Sequence, residues 1–384
     1  MVTRADTGRF AEWWWTVDRL LLVALLILLA GGVVLSFAAS PPVAERIGVE
    51  TYHFVQRQAF FAVPAAIVLV AVSFLAPQQV RVAAAGLFAL FFVLLIATLF
   101  FGVEVKGSRR WITVVGMSIQ PSEFIKPAFV VLVAYLLAEG ERRRGFPGRL
   151  LAMLLLAMTL APLVAQPDFG QAMLIAIVWG AMFFLAGLSW FLTVLLAGLG
   201  VAGLGGAYFL LPHVASRINR FLDPEAGDSF QVETALDAFV TGGWFGRGPG
   251  EGTVKRILPD SHTDFVFAVT AEEFGILACG LVVLLFAFVV LRGLGHARHE
   301  QDSGVRLAIS GLIILFGVQA AINMAVNLHL MPAKGMTLPF ISYGGSSLVA
   351  VALGMGFVLA LSRRRPRVDV GFTSYVPIHR ERPA

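Results

Sequence analysis

The residue best suited to acid–base chemistry is Asp264, in the segment LPDSHTDFVFAVTAEEFG at 258–275. It lies where a polar stretch meets a long apolar run, beside His262 and Thr263. A carboxylate at such a boundary is partly desolvated, which raises its pKa and suits it to accept a proton. The same carboxylate could instead cap the next helix by accepting from free backbone N–H groups. The residues alone leave both roles open, general base or helix cap.

Other ionisable residues lie within or beside apolar runs. Glu272 and Glu273 follow Asp264 in the same run. Charges are costly in lipid and face the interior of a helix bundle, so we interpret these two as groups that hold helices together. Glu123 and Lys126 are spaced i, i+3, which allows an ion pair on one helix face. The simplest role of that pair is structural.

Polar uncharged residues form a stripe near the end of another apolar run. Gln319, Asn323 and Asn327 are spaced four apart, so they share one helix face. Such stripes more often form hydrogen bonds between helices than a transport pathway. Asp168, in the tight turn AQPDFGQ, receives the same structural interpretation.

Three connecting segments are unusual for a chain of apolar runs. The segment 102–122 carries several cations, and its apolar part 111–119 is too short to span a bilayer, which places it in the membrane interface. Contact of its cations with lipid headgroups is the alternative to a specific role. The segment 212–264 is long enough to be functional or disordered, but its many apolar residues disfavour disorder.

Two of these segments predict irregular backbone. Within 212–264, residues 231–240 could form a short amphipathic helix, and the glycines of 242–252 permit positive φ and close backbone approach. The spacing of those glycines fits no nucleotide-binding motif. The segment 327–347 has prolines, glycines and hydroxyls between apolar runs, and its one cation, Lys334, could meet a phosphate.

The composition shows what must position these residues. Hydrophobic residues make up 58% of the 384 residues, charged residues 14%, and the mean hydropathy is +0.82. Such a chain is too apolar for a soluble globular protein. A bilayer core about 30 Å thick needs roughly 20 apolar residues per helix and excludes unpaired backbone, so the long apolar runs are predicted to be helices.

About ten apolar runs are counted on this basis, of which the fourth and fifth are short. They predict an all-α integral membrane protein with a long extracytoplasmic loop, 212–264, between the seventh and eighth helices. The runs are 20–37, 59–75, 82–101, 127–137 with its flanks, 150–165, 172–188, 191–211, 265–291, 307–326 and 348–361.

The distribution of Lys and Arg predicts that both termini are cytoplasmic, because cations accumulate in short cytoplasmic loops. One such loop contains the arginines 142–144. The predicted domains are a cytoplasmic N-terminal segment, 1–17, a polytopic membrane domain, 18–362, and a basic cytoplasmic tail, 363–384. The net charge of +5 then reflects topology and attraction to anionic membrane lipid, with no need for nucleic acid.

Four separated motifs resemble those of the SEDS family (shape, elongation, division, sporulation) of bacterial cell-wall proteins. The resemblance extends over essentially all of 18–362, with the motifs in the expected order. Lys334 before Gly335 resembles the division branch, FtsW, more than the elongation branch, RodA. The motifs are GSRRW at 107–111, QPSEFIK at 120–126, LPDSHTDFVFAVTAEEFG at 258–275 and PAKGMTLPFISYGGSS at 332–347.

The resemblance implies a peptidoglycan glycosyltransferase that polymerises lipid II at the outer face of the cytoplasmic membrane during cell division. The family's essential acidic residue matches Asp264, whose implied role is to deprotonate the acceptor GlcNAc 4-hydroxyl as it displaces undecaprenyl diphosphate. Glu123, Lys126, His262 and Thr263 would support the pocket. The implied cofactor is a divalent cation, Mg or Mn, and no ligands can be named for it.

A leaving diphosphate must be neutralised, and the cations and hydroxyls of the polar segments are the candidates for that task. They are Arg109, Arg110, Lys126, Lys255, Lys334, Ser342 and Tyr343. The chain departs from the family's common pattern at Asp260, where many relatives have Glu, and at Thr253, where many have Ser. Both differences keep the chemistry.

The resemblance also implies partners: lipid II and the nascent glycan strand, a class B penicillin-binding transpeptidase, other division proteins and membrane lipid. The implied location is the bacterial inner membrane, at the division septum. Two other functions stay open. A lipid II flippase would use intramembrane polar residues as a path across the bilayer, and a non-enzymatic scaffold would use Asp264 only as a cap. The polar residues lie mostly on the outer side, which favours the enzyme.

Overall fold

The apolar runs form long helices in a computed structural model, which describes residues 8–105, 108–114, 116–210, 215–216, 219, 230–332 and 335–364. Within these ranges, seven helices are long and apolar enough to cross a membrane, and three shorter apolar helices match the remaining predicted runs. The prediction of a predominantly helical membrane protein is confirmed. The count of ten spans stays a prediction.

The elements follow the apolar runs closely. The run at 127–137 belongs to a longer helix, and strands occupy part of the segment 102–122. The helices are α1 (Arg9–Thr16), α2 (Arg19–Ala39), α3 (Pro41–Ile47), α4 (His53–Ser73), α5 (Pro77–Phe101), α6 (Pro121–Arg142), α7 (Gly148–Ala165), α8 (Phe169–Leu185), α9 (Trp190–Leu210), α10 (Phe230–Gly242), α11 (Val266–His299), α12 (Ser303–Asn327) and α13 (Gly345–Leu361). The strands are β1 (Val103–Val105), β2 (Ser108–Val114) and β3 (Met117–Ile119).

Local chemistry sets several helix starts. Asp18 accepts hydrogen bonds from the N–H groups of Leu20 and Leu21 at the start of α2, and Asp302 caps α12 in the same way. Proline occupies the first turn of α3, α5 and α6, where its missing N–H costs nothing. These residues define where the five helices begin.

The centre of the bundle is formed by α6, α12 and α13, whose side chains are mostly buried. α9, in contrast, exposes large apolar side chains such as Phe191 and Phe209. The starts of α6, α11 and α13 and the end of α12 lie together with the strands, at what we call the hairpin end. The opposite end, where α1 meets Arg363, is the terminal end.

The segment 102–122 differs from its prediction. β1 to β3 form an antiparallel sheet in the order β1-β2-β3, with Ile112 paired to Ile119 and Val103 paired to Trp111. Residues 111–114 and 117–119 of the stretch that was expected to lie as an apolar segment in the interface therefore belong to the middle and last strands of a sheet. Pairing satisfies the backbone N–H and C=O groups, which a single extended segment would leave open. The predicted all-α fold is therefore corrected to a predominantly helical fold with one small sheet.

The described part of the segment 212–264 is ordered around a helix. α10 confirms the helix predicted at 231–240, and it packs against the first turns of α11. Most of 212–229 lies outside the described residues. The segment therefore returns to the bundle before it reaches Asp264.

The glycine-rich stretch after α10 joins α11 backbone to backbone. α11 is kinked at Gly275, which has a φ of +81°, and Ile276 N donates to Gly243 O over 2.9 Å. A Cβ at Gly275 would lie 2.3 Å from Trp244 O, so only glycine fits there. The predicted close backbone approach is confirmed.

The terminal end ties the two ends of the described chain together. Trp13 Nε1 donates to Ser73 Oγ over 2.8 Å, and its ring stacks on Phe74. Arg363 donates to Thr16 Oγ1 over 2.9 Å and to Phe74 O over 3.1 Å. Of the predicted tail 363–384, only its first two residues are described.

A second cluster at the terminal end links α2 to α11. Asp18 accepts from Arg292 over 2.6 Å and also contacts His296. Burial alone would raise the pKa of Asp18, but the hydrogen bonds from His296 and Arg292 outweigh it and hold the pKa below its ordinary value. The carboxylate stays charged while it caps α2.

Candidate functional site

Asp264 ends a compact turn immediately before α11. Its backbone N–H donates to Asp260 O over 3.1 Å, and that carbonyl also accepts from Thr263. The N-cap position of α11 belongs to Phe265, which makes no side-chain cap hydrogen bond. Asp264 therefore precedes the cap residue, half-buried at the hairpin end.

The carboxylate of Asp264 faces the segment that connects α12 to α13. A Cβ built on Gly335 would lie 3.8 Å from Asp264 Oδ2. Lys334, the neighbouring candidate cation, lies outside the described residues, so its side chain is not placed. The structure nonetheless brings Asp264 next to the motif that contains Lys334.

The polar stripe on α12 lies against both segments. Asn323 Nδ2 donates to Asp264 O over 2.9 Å and to Met336 O over 2.7 Å. Gln319 Nε2 donates to Thr337 O over 3.1 Å. The stripe forms contacts between elements, as predicted, but its partners are the backbones of the two candidate site segments.

Glu123 and Lys126 form the predicted ion pair, at 3.0 Å and nearly fully buried. Lys126 Nζ donates to Gln319 Oε1 over 3.1 Å. Glu123 accepts from Gln171 over 2.6 Å and from Ser347 over 3.1 Å. The pair therefore joins side chains from α6, α8, α12 and α13. It borders a small cavity of about 30 Å³ whose other walls are mostly apolar.

The β-sheet contributes one arginine to this region. Arg110 donates to Pro167 O over 2.6 Å and lies 3.6 Å from Asp168. Burial raises the pKa of Asp168, and the nearby Arg110 guanidinium opposes that rise. Arg109, on the other face of the strand, is exposed beside Glu104. Only Arg110 of the two is held toward the bundle.

Lys255 is engaged elsewhere. Its buried ammonium pairs with Glu273 and donates to Ala38 O over 3.1 Å. Glu272 accepts from the N–H groups of the 3-10 turn Val254–Arg256, including Lys255 N at 2.9 Å. The prediction that Lys255 contacts a diphosphate does not fit this geometry, because its ammonium is held between Glu273 and the backbone carbonyl of Ala38.

The remaining predicted residues line the turn and the last loop. His262 stacks near Phe54 and Tyr343, at ring-centroid distances of 4.6 and 5.4 Å. His262 O also accepts from Tyr343 N over 2.9 Å. Ser342 is buried, and its Oγ accepts from Leu338 N over 2.8 Å. The hydroxyl of Ser342 therefore shapes the loop.

Two contributions were not foreseen from the residues. Gln58, on α4, donates to Ser342 O over 3.4 Å and so helps to hold the last loop. Asp168 and Arg110 form a contact between the sheet and α8, and the structural interpretation of Asp168 had not identified Arg110 as its partner. No pattern in the sequence pairs these distant residues, because their contacts depend on how the helices pack.

A divalent cation would have few protein ligands here. Among the described residues, no group of three or more His, Cys, Asp or Glu side chains could hold a metal ion. Mg²⁺ commonly binds through one or two carboxylates together with substrate phosphates and water.

Comparison with known proteins agrees with this arrangement. The family model FtsW/RodA/SpoVE, described as a cell cycle protein, matches residues 18–367. A probable peptidoglycan glycosyltransferase FtsW of Caulobacter vibrioides is 47% identical over 335 residues, covering 86% of this chain and 85% of that protein. A protein of the same name from Trichlorobacter lovleyi is 34% identical over 337 residues, covering 85% and 88%.

Two solved structures share the fold. A chain of a peptidoglycan synthase complex that coordinates polymerization and crosslinking has a TM-score of 0.76 and 28% identity, covering 91% of this chain and 98% of that one. The rod shape determining protein RodA of Thermus thermophilus has a TM-score of 0.67 and 27% identity, covering 91% and 97%. The chain therefore belongs to the FtsW/RodA/SpoVE family of multi-pass membrane proteins, with FtsW proteins among its relatives.

Proposed function

We propose that this protein is a peptidoglycan glycosyltransferase of the FtsW type, which polymerises lipid II into glycan strands during cell division. The observation that carries the proposal is the position of Asp264, whose carboxylate faces Gly335 while its backbone is tied to α12. The names of its relatives support the activity.

In the proposed reaction, Asp264 accepts the proton of the acceptor GlcNAc 4-hydroxyl. The oxygen attacks the anomeric carbon of the donor glycan, and the bond to undecaprenyl diphosphate breaks with its electrons on the leaving oxygen. Buried cations stabilise that charge best where water is excluded. Arg110 and Lys126 are two described cations held at this end that are proposed for this role, and Lys334 is proposed with them.

A divalent cation, Mg or Mn, is proposed to arrive with the diphosphate and to be held partly by Asp264. The positive charge of this cation would neutralise charge on the phosphate oxygens. His262, Thr263 and Tyr343 would border the sugar, because they surround the turn that carries Asp264.

The hairpin end is proposed to face the outside of the bacterial inner membrane, with both termini in the cytoplasm. The concentration of arginines at the terminal end supports this orientation. The septum is the proposed site of action. A class B penicillin-binding transpeptidase is the proposed partner, which the similarity to a synthase complex supports. Other division proteins and surrounding lipid complete the set, and no nucleic acid is involved.

The test is polymerisation of lipid II by the purified protein, with Mg or Mn, alone and with its transpeptidase. Asp264→Asn and Asp264→Ala are expected to reduce the rate by about 10²–10⁴-fold, because general base catalysis is lost. Asp237→Asn is the matched control, since that exposed carboxylate on α10 belongs to the same segment of chain. It should keep the wild-type rate.

The alternatives give different results in the same experiment. A flippase would move lipid II across proteoliposome membranes, retain that movement in Asp264→Asn, and make no glycan polymer. A scaffold in which Asp264 is only a cap would lose thermal stability in Asp264→Asn, with no selective effect on turnover at matched folded amounts.

A further inference from the structure

Two buried amides on α12 converge on a single backbone carbonyl. Asn323 Nδ2 and Asn327 Nδ2 each donate to Asp264 O over 2.9 Å. The exposed fractions of the two asparagines are 2% and 0%. Both hydrogen bonds are therefore shielded from water, and both tie α12 to the backbone of Asp264.

None of the described N–H groups of α11 donates to that carbonyl. The first hydrogen bond within α11 runs from Val269 N to Phe265 O, one residue after Asp264. A carbonyl outside the helix and away from water would cost free energy if it stayed unpaired. The two amides supply the missing donors, and they fix the peptide plane between Asp264 and Phe265.

Asn327 also acts at the start of α11. Its Oδ1 accepts from Ala268 N over 3.1 Å. Ala268 is one of the first residues of α11, whose N–H groups lack partners within the helix. Since Phe265 provides no side-chain cap, Asn327 performs the capping role from a neighbouring helix. The sequence allowed Asp264 to cap this helix, but in the structure Asn327 provides the accepting oxygen.

Asn323 connects Asp264 to the last loop. The same Nδ2 that binds Asp264 O donates to Met336 O over 2.7 Å. One turn earlier, Gln319 binds Thr337 O. A single face of α12 thus sets the spacing between the Asp264 turn and the loop that follows Gly335.

We propose that Asn323 and Asn327 are positioning residues for the transfer reaction. They hold the backbone of Asp264 at a set distance from the 335–342 loop. Asn327, instead of the Asp264 carboxylate, accepts the hydrogen bond from Ala268 N. The inference rests on the proposed glycosyltransferase function. A displacement of about 1 Å at a reacting group can reduce turnover by about 10²-fold, so the amides are expected to act on turnover more than on substrate binding.

The test measures kcat and KM for lipid II polymerisation by the full-length protein and its variants. Asn323→Leu removes both donors at similar volume. Asn327→Asp keeps an oxygen for Ala268 N and loses the donor to Asp264 O. Each variant is expected to lower kcat by about 10- to 100-fold with little change in KM.

Gln166→Leu is the matched control. Gln166 is also a buried amide that donates to a backbone carbonyl, Leu95 O, over 2.8 Å, but its partners lie on α5. The thermal unfolding temperature of this variant should fall about as far as that of Asn323→Leu, while its kcat stays at the wild-type level.

The outcomes separate the two proposals. A wild-type protein that makes no polymer with its transpeptidase present would overturn the proposed function itself. With an active wild type, an unchanged kcat in folded Asn323→Leu would overturn the positioning role. So would a raised KM alone, or an equal loss of kcat in Gln166→Leu. If Asn323→Leu does not fold, Asn327→Asp decides, and wild-type kcat there overturns the role.

Discussion

Two buried lysine–glutamate pairs lie at the hairpin end, and their surroundings differ. Lys255 and Glu273 meet where the 3-10 turn packs on α2 and α11, and Lys255 also donates to the backbone at Ala38. Lys126 and Glu123 lie on one helix and bond to side chains from three others. The first pair has a backbone carbonyl, Ala38 O, as a further partner, whereas the second pair hydrogen-bonds to side chains.

The difference decides what each pair can do. The backbone carbonyl of Ala38 is held by the fold, and it restrains the Lys255 ammonium beside Glu273. Side-chain partners such as Gln319 and Ser347 have alternative rotamers. The presence of a buried ion pair is therefore weak evidence of function by itself. The partners around the pair distinguish a structural pair from a functional one.

The largest expected effect comes from breaking the Lys255–Glu273 pair. Glu273→Leu leaves the Lys255 ammonium buried without its counter-charge, which should cost about 3–5 kcal/mol of unfolding free energy. The double variant Lys255→Met, Glu273→Leu should recover most of that loss and keep polymerase activity. Thermal unfolding in detergent measures both. A double variant as unstable as the single one would contradict a purely structural role.

The same exchange at the other pair should separate stability from activity. Glu123→Leu with Lys126→Met leaves no unpaired charge and should fold, but polymerisation should fall by about 10²–10³-fold, because a cation near the leaving group is lost. The rate of lipid II polymerisation at matched folded amounts is the measurement. Wild-type activity in this double variant would show that both pairs contribute to stability and not to catalysis.

A third test disturbs the backbone contact that supports Glu273. Gly275→Ala would place a Cβ 2.3 Å from Trp244 O at a φ of +81°. Overpacking and left-handed strain together predict a loss of about 2–4 kcal/mol. Gly280→Ala, on the same helix with open space around it, should change stability little. Equal unfolding temperatures for the two variants would show that the close approach is not required.

The smallest effect is expected for an exposed pair, Arg142–Asp302, at 2.8 Å. Asp302→Asn keeps an N-cap acceptor and should cost about 0.2–1 kcal/mol at neutral pH. Partial burial alone would raise the pKa of Asp302, but the hydrogen bond from Arg142 outweighs it and lowers the pKa. The stabilisation is present above the ordinary pKa of Asp and is lost as pH falls through the lowered value.

Unfolding curves of wild type and Asp302→Asn, recorded from neutral pH downward, should therefore converge in acid. Arg142→Met is the control, because it removes the same pair from the other side. Curves that diverge as the pH falls would reverse the predicted sign.

Much of the fold was predictable because apolarity is a property of each residue. The run 307–326 corresponds to α12, and the helix predicted at 231–240 corresponds to α10. The sheet at 102–122 was not predicted, since strand pairing depends on contacts between short segments rather than on composition. Asp264 was identified from its motif, whereas the bonds to its backbone from Asn323 could not be inferred from spacing.

The sequence was enough to establish a membrane protein, the order of its apolar helices and the motifs of its family, because bilayer thickness and hydrophobicity act on local runs of residues. Tertiary structure decided that Lys255 binds the backbone at Ala38, and it decided which amides hold Asp264. It also placed Arg110 beside Asp168. These outcomes depend on hydrogen-bond partners far apart in the chain, such as Lys126 and Gln319, and only the packed bundle brings such partners within about 3 Å.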